Sequence, residues 1–140
     1  MHLTVHTDYA LRVLAYLSLS GDKLVTINDI ANYYGISKNH LVKVVHGLSQ
    51  EGIIEAVRGR SGGVRLARPA DEINIGELVR LTEPGYEMVD CTPDTGACRV
   101  MTVCGLPAVL DKATRAFLAE LDKHTLADVI NTNISLEELV

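Results

Sequence analysis

Apolar residues recur three and four positions apart in several separate stretches of the chain, and the gaps between them carry glycine, proline and small polar residues. Ala10, Val13, Leu14 and Leu17, with Thr7 placed as a cap, predict an amphipathic helix from residue 8 to about 19, which Gly21 and Asp22 end. Ile27, Ile30, Ala31 and Tyr34 predict a second helix from about Thr26, stopped at Gly35, a residue that tolerates a left-handed turn. Ser37 then caps a third, with a stripe of Leu41, Val44, Val45 and Leu48, ending near Gly52. Two short helices joined by a tight glycine-containing turn form the helix-turn-helix pattern.

The period changes after Gly52. Residues 53–57 and 64–68 are β-prone runs separated by six residues rich in glycine and arginine, which predicts a hairpin with a flexible basic tip. Pro69 ends it. A short helix over 75–82 turns Ile75, Leu78 and Val79 inward, whereas Pro84, Gly85, Pro93, Gly96 and Gly105 break any period across 84–105. Pro107 suits the first turn of a long helix reaching about Asp122, striped by Leu106, Leu110, Ala113, Phe117 and Leu121. Thr125 caps a final helix over 126–131, before a loosely ordered tail. The expected fold is mainly α with a small β-hairpin: a winged helix-turn-helix over 1–83, an irregular loop over 84–105, and a long C-terminal helix and tail over 106–140.

Composition adds that the core is aliphatic, because the chain has one Phe, five Tyr and no Trp. No stretch approaches the roughly 18 consecutive apolar residues of a membrane span, and the first residues lack the features of a signal peptide, so a soluble, cytoplasmic protein is expected. The net charge of −5 argues superficially against a nucleic-acid partner, but the average conceals an asymmetry. Residues 1–70 carry +3 and residues 71–140 carry −8, and six of the basic groups lie within 38–68 against two acids. That local excess is enough for a phosphate-facing patch.

The third helix shows where such a patch faces. At 100° per residue Asn39, Lys43, His46 and Gln50 lie opposite the apolar stripe, and none is acidic, which favours a helix that enters a DNA groove over a merely solvated face. Ser37, Lys38, Asn39, His40 and Lys43 are its candidate DNA contacts. Around the hairpin tip, Arg58, Arg60, Ser61, Arg65 and Arg68 place guanidinium and hydroxyl donors within reach of phosphate or a narrow minor groove. A tight turn alone would also use glycine, but would not need the arginines. No nucleophilic triad is visible, and Gly59-Arg60-Ser61-Gly62-Gly63 lacks the lysine and following helix of a phosphate-binding loop, so the chain is read as a non-enzyme.

All three cysteines, Cys91, Cys98 and Cys104, fall in the irregular loop. An odd number of thiols clustered in one such loop of a cytoplasmic protein suits a soft-metal or redox site better than a disulfide scaffold or a buried apolar role. Structural zinc prefers four ligands and closer pairs. A 4Fe-4S cluster on three thiolates leaves one iron to a weaker, non-cysteine ligand, an arrangement suited to a sensor; a 2Fe-2S cluster is the alternative.

With these features in place, the chain resembles the bacterial family of winged-helix iron-sulfur transcription regulators, from Leu3 to about Val129. The matching stretches are LTVHTDYALRVLAYL, then YGISKNHLVKVVHGLSQEGIIEAVRGRSGGVRLARPADEINIGELVR, the three-cysteine loop, and FLAELDKHTLADV. The resemblance implies a homodimer crossed by the helix 107–122, a palindromic double-stranded operator read by two recognition helices and two wings, and a cluster on Cys91, Cys98 and Cys104. Members that regulate cluster assembly use a histidine three residues past the last cysteine; here that residue is Pro107, which cannot ligate. Nitric-oxide-sensitive members, whose C-terminal segment is also the nearer match, are thought to recruit an aspartate from the partner's first helix, which here corresponds to Asp8. Asp8 is equally explained as a first-turn acid facing the helix dipole and Arg12.

The function implied is a cluster-dependent repressor that releases DNA when nitric oxide damages the cluster. The alternatives are the same fold sensing iron or cluster status, and a thiol or zinc redox protein whose winged helix binds other proteins.

Overall fold

The structure, a computed structural model, describes residues 2–86, 89, 98–100, 102–131, 133, 134 and 136–139. Its elements run α1 (Val5–Leu19), α2 (Ile27–Tyr34), α3 (Lys38–Gln50), β1 (Ile54–Val57), β2 (Gly63–Leu66), α4 (Ile75–Thr82), α5 (Leu106–Leu121) and α6 (Leu126–Val129), with 3-10 turns at Ala70–Glu72 and Leu136–Leu139. Helices α1–α4 and the β1–β2 hairpin form the winged helix-turn-helix. Inward faces of α1, α3 and α4 supply most of a core that includes Val13, Leu14, Leu17, Leu41, Val44, Leu78 and Val79, and α2 adds Ile30 and Ala31. These are the stripes expected from the helical period, because only that face of each helix escapes water.

Local chemistry sets most element ends. Thr26 and Asp29 form a reciprocal cap on α2, and Gly35 ends that helix at φ +65°, the left-handed turn that separates α2 from α3. Ser37 occupies the N-cap position of α3 but makes no capping bond, so its hydroxyl is available to another partner.

Helix α1 differs from expectation. It starts at Val5 with Thr4 as its cap, while Thr7 is fully buried inside its first turn. The reason is tertiary. Glu83, the residue after α4, accepts from the Thr4 backbone N–H at 2.7 Å and from its hydroxyl at 3.0 Å, and the Thr4 hydroxyl oxygen accepts from Thr7 N–H at 3.3 Å. Burial pushes the Glu83 carboxyl up. Hydrogen bonds from Thr7 and Thr4, with the nearby His6, outweigh it and hold the carboxyl below its ordinary value of 4.5. A depressed folded-state pKa contributes stability above the unfolded value and loses it as pH falls through the folded value. Glu83→Ala is therefore expected to cost about 1 kcal/mol at neutral pH, as a lost cap does. Melting curves of the two proteins should converge as pH drops below 4.5.

The hairpin is antiparallel, pairing Ile54 with Leu66, Glu55 with Arg65, Ala56 with Val64 and Val57 with Gly63. Val25, ahead of α2, bridges Val64 with hydrogen bonds of 3.1 and 2.8 Å in the two directions, which anchors the wing to the helical body. Gly63 is required for this approach: a Cβ there would lie 2.7 Å from the Val25 carbonyl oxygen.

The C-terminal segment returns to the same core. Leu126 is 1% exposed and its N–H donates to the Ile73 carbonyl at 2.8 Å; Arg80 of α4 holds Asp122 at the end of α5 through two bonds of 2.5 and 2.7 Å. Leu118 and Leu121 pack on the core, yet no residue of α5 is fully buried, and Leu106 and Val109 are 50% and 63% exposed. The first half of α5 is therefore left largely without a cover among the described residues, although Leu110 is half-buried. Among the described residues, no helix is long and apolar enough to cross a membrane.

Candidate DNA interface and thiol loop

Burial of Leu41, Val44, Val45 and Leu48 fixes the rotation of α3 and turns Ser37, Lys38, Asn39, His40 and Lys43 outward, all of them exposed. His46 and Gln50 share that outward side, as does Val42, which the helical period did not single out and which is 42% exposed. No acidic residue lies between Lys38 and Gln50. Among the described residues neither Lys38 nor Lys43 has a carboxylate within ion-pair distance.

The wing tip spans 58–62. Gly59 takes φ +115° and accepts from Gly62 N–H at 3.1 Å, and a Cβ on Gly62 would strike the Val57 carbonyl oxygen at 2.2 Å, so both glycines are needed for the turn. Arg58, Arg60 and Ser61 are exposed, and the two arginines have no ion-pair partner among the described residues. Arg65 differs: its Nε donates to Glu55 across the strands at 2.8 Å, and this contact, more than the Coulomb attraction, raises its pKa. Arg68 sits at the base of the hairpin with a buried Nε that has no hydrogen-bond partner among the described residues, and does not belong to the exposed tip.

Of the expected cluster ligands, Cys98 and Cys104 are half-buried free thiols, and Cys91 lies outside the described residues. Asp8 lies on the first turn of α1, about half exposed, where both carboxylate oxygens accept from Arg12 Nε at 3.1 and 3.0 Å. The Arg12 guanidinium also sits 5.7 Å from the Tyr34 ring centroid. An exposed i,i+4 pair of this kind contributes only a few tenths of a kcal/mol, too little to stop Asp8 from exchanging Arg12 for a stronger partner. Among the described residues no three His, Cys, Asp or Glu side chains converge as a metal site. The donor chemistry nevertheless fits an iron-sulfur group: the two described thiols are tied into no disulfide, and Asp8 has an easily displaced partner.

Comparison with known proteins places this arrangement. The profile of the Rrf2 family, described as an iron-dependent transcriptional regulator, matches residues 3–132. This chain belongs to the Rrf2 family. Its relatives include the HTH-type transcriptional regulators NsrR of Bacillus licheniformis, 44% identical over 100% of this chain and 99% of that one, and NsrR of Bacillus subtilis, 45% identical over 100% and 97%. Both are named as regulators, not as enzymes. Among solved structures, that of T. potens IscR superimposes with a TM-score of 0.66 at 27% identity, covering 92% of this chain and 85% of that one. The Rrf2 fold therefore comprises the helix-turn-helix, the wing and the long α5 as read from the sequence.

Proposed function

We propose that this Rrf2 chain is a homodimeric, cytoplasmic transcriptional repressor whose hold on DNA depends on an iron-sulfur cluster and is released by nitric oxide. The observation that carries the DNA-binding part is the outward face of α3: Lys38, Asn39, His40 and Lys43 stand exposed with no acid among them, flanked by Arg58 and Arg60 of the wing, which have no ion-pair partner among the described residues. Ser37, Lys38, Asn39, His40 and Lys43 would enter a major groove, while Arg58, Arg60 and Ser61 engage phosphate or the adjacent minor groove. Arg65, held by Glu55, supports the wing and shares its charge with DNA less readily. The exposed Leu106 and Val109 in the first half of α5 suit a second copy, and two-fold symmetry would make the operator palindromic.

Cys91, Cys98 and Cys104 would hold the cluster, with Asp8 of the partner subunit as the fourth ligand and a 4Fe-4S form favoured over 2Fe-2S. When bound, the cluster would supply iron that reacts with nitric oxide. Asp8 would then link one subunit's thiol loop to the first turn of its partner's α1, a helix packed directly on α3. A second reading, sensing of iron rather than nitric oxide, is favoured by the family's description as iron-dependent.

Binding to a duplex selected by the protein from a random-sequence pool should weaken steeply with salt, and Arg60→Ala should reduce the slope of log K against log salt by about 1. Salt-independent binding, or none, would return the winged helix to a protein-interaction role. Operator release by nitric oxide but not by an iron chelator supports the first reading; release by the chelator alone supports the second. In Asp8→Ala the wild-type response should be blunted.

A further inference from the structure

The packing of α1 on α3 leaves a cleft of about 140 Å³ lined by Val5, His6 and Tyr9 from α1 and by His40, Lys43 and Val44 from α3. Val44, 2% exposed, and the half-buried Tyr9 supply apolar surface, while His6, His40 and Lys43 are exposed. The Tyr9 and His40 rings lie 6.2 Å apart with their planes at 32°, so the cleft wall on the recognition helix is braced from α1. Among the described residues, no carboxylate lines the cleft. Of the described acids near it in sequence or space, Asp8 is engaged by Arg12, and Glu83, which lies near His6, is engaged by Thr4.

One ammonium and two imidazoles at a partly apolar cleft suit an anion with an apolar body, and the lysine disfavours a metal cation. His40 and Lys43 belong to the face of α3 already assigned to DNA, so the cleft is continuous with that interface. We propose that it seats one sugar-phosphate unit of the DNA backbone bordering the groove that α3 enters, with the deoxyribose against Tyr9 and Val44 and the phosphate oxygens accepting from His6 and Lys43. This rests on the DNA-binding reading and extends it to α1. His6 and Tyr9, which the sequence pattern did not select, become backbone contacts that set the depth and register of the recognition helix without reading bases. They also share the first turns of α1 with Asp8.

The decisive measurement is the affinity of the anaerobically purified full chain for the selected duplex and for a scrambled one. His6→Ala, which removes an exposed ring, should weaken both about tenfold, and His6→Gln, which keeps an N–H donor, should restore most of the loss. Replacing single phosphates by uncharged methylphosphonates should identify one position per half-site that weakens the wild type but costs His6→Ala nothing further. Equal affinity of His6→Ala and wild type, or a loss that His6→Gln does not restore, would overturn the seat while leaving DNA binding intact. A wild type that binds no duplex would instead overturn the DNA reading itself. If inorganic phosphate at matched ionic strength moves the His6 and His40 ring resonances as strongly as the duplex does, the cleft is a free-anion site and the assignment to DNA fails.

Discussion

Replacing Cys104 with serine is expected to leave a folded protein that purifies without iron or visible absorbance under anaerobic conditions and binds its operator about a thousandfold more weakly than the wild type. A thiolate is a soft, readily ionised ligand, whereas a serine hydroxyl at neutral pH remains protonated and hard, so the substitution removes a ligand while keeping nearly the same volume. Cys104 is only half-buried, which makes a large packing loss unexpected. The affinity change follows from falling back to phosphate attraction alone, since specific binding typically exceeds non-specific binding by about a thousandfold or more. Iron content, the visible spectrum and operator titrations under strict anaerobiosis check it. A Cys104→Ser protein that keeps its colour, or a colourless one that holds its operator as the wild type does, would count against cluster dependence.

The other large effect is on stability. Leu41 is completely buried on the inner face of α3, and Leu41→Ala should cost about 2–5 kcal/mol through lost burial and the cavity left behind. In a domain of this size that lowers the melting temperature by roughly 10 °C. A helix of 13 residues does not persist in water by itself, so α3 keeps its shape and pose only through Leu41, Val44, Val45 and Leu48 against α1 and the wing. Val42→Ala one position on, where the side chain is 42% exposed, should change the melting temperature little. Calorimetry on the two variants gives the contrast. Comparable losses would mean that the rotation of α3 described above is wrong.

The outward face of α3 was legible because it is the complement of the apolar stripe: once Leu41, Val44, Val45 and Leu48 are known to face in, Asn39, Lys43 and His46 must face out. The wing was legible for a similar reason, since its glycines occupy backbone positions that a side chain would obstruct. Arg58 and Arg60 at the tip could be named in advance. Arg65 could be named too, but not its neutralisation by Glu55, which depends on the strand register, and neither could the burial of Arg68 Nε. The DNA candidates from α1 escaped notice because nothing in the spacing of His6 and Tyr9 marks them; they gain meaning only beside His40 and Lys43, more than thirty residues away.

By itself, then, the sequence determined which residues form helices and hairpin, which faces are buried, and which cation-bearing segments lack acids, because these follow from short-range periodicity, backbone sterics and composition. Tertiary structure alone decided where α1 begins, through Glu83 and Thr4; how the wing is anchored, through Val25 and Gly63; how Leu126 joins the core; and that α1 and α3 enclose a cleft. Each of these depends on groups far apart in sequence that approach within a few ångströms, and a one-dimensional pattern carries no measure of that distance.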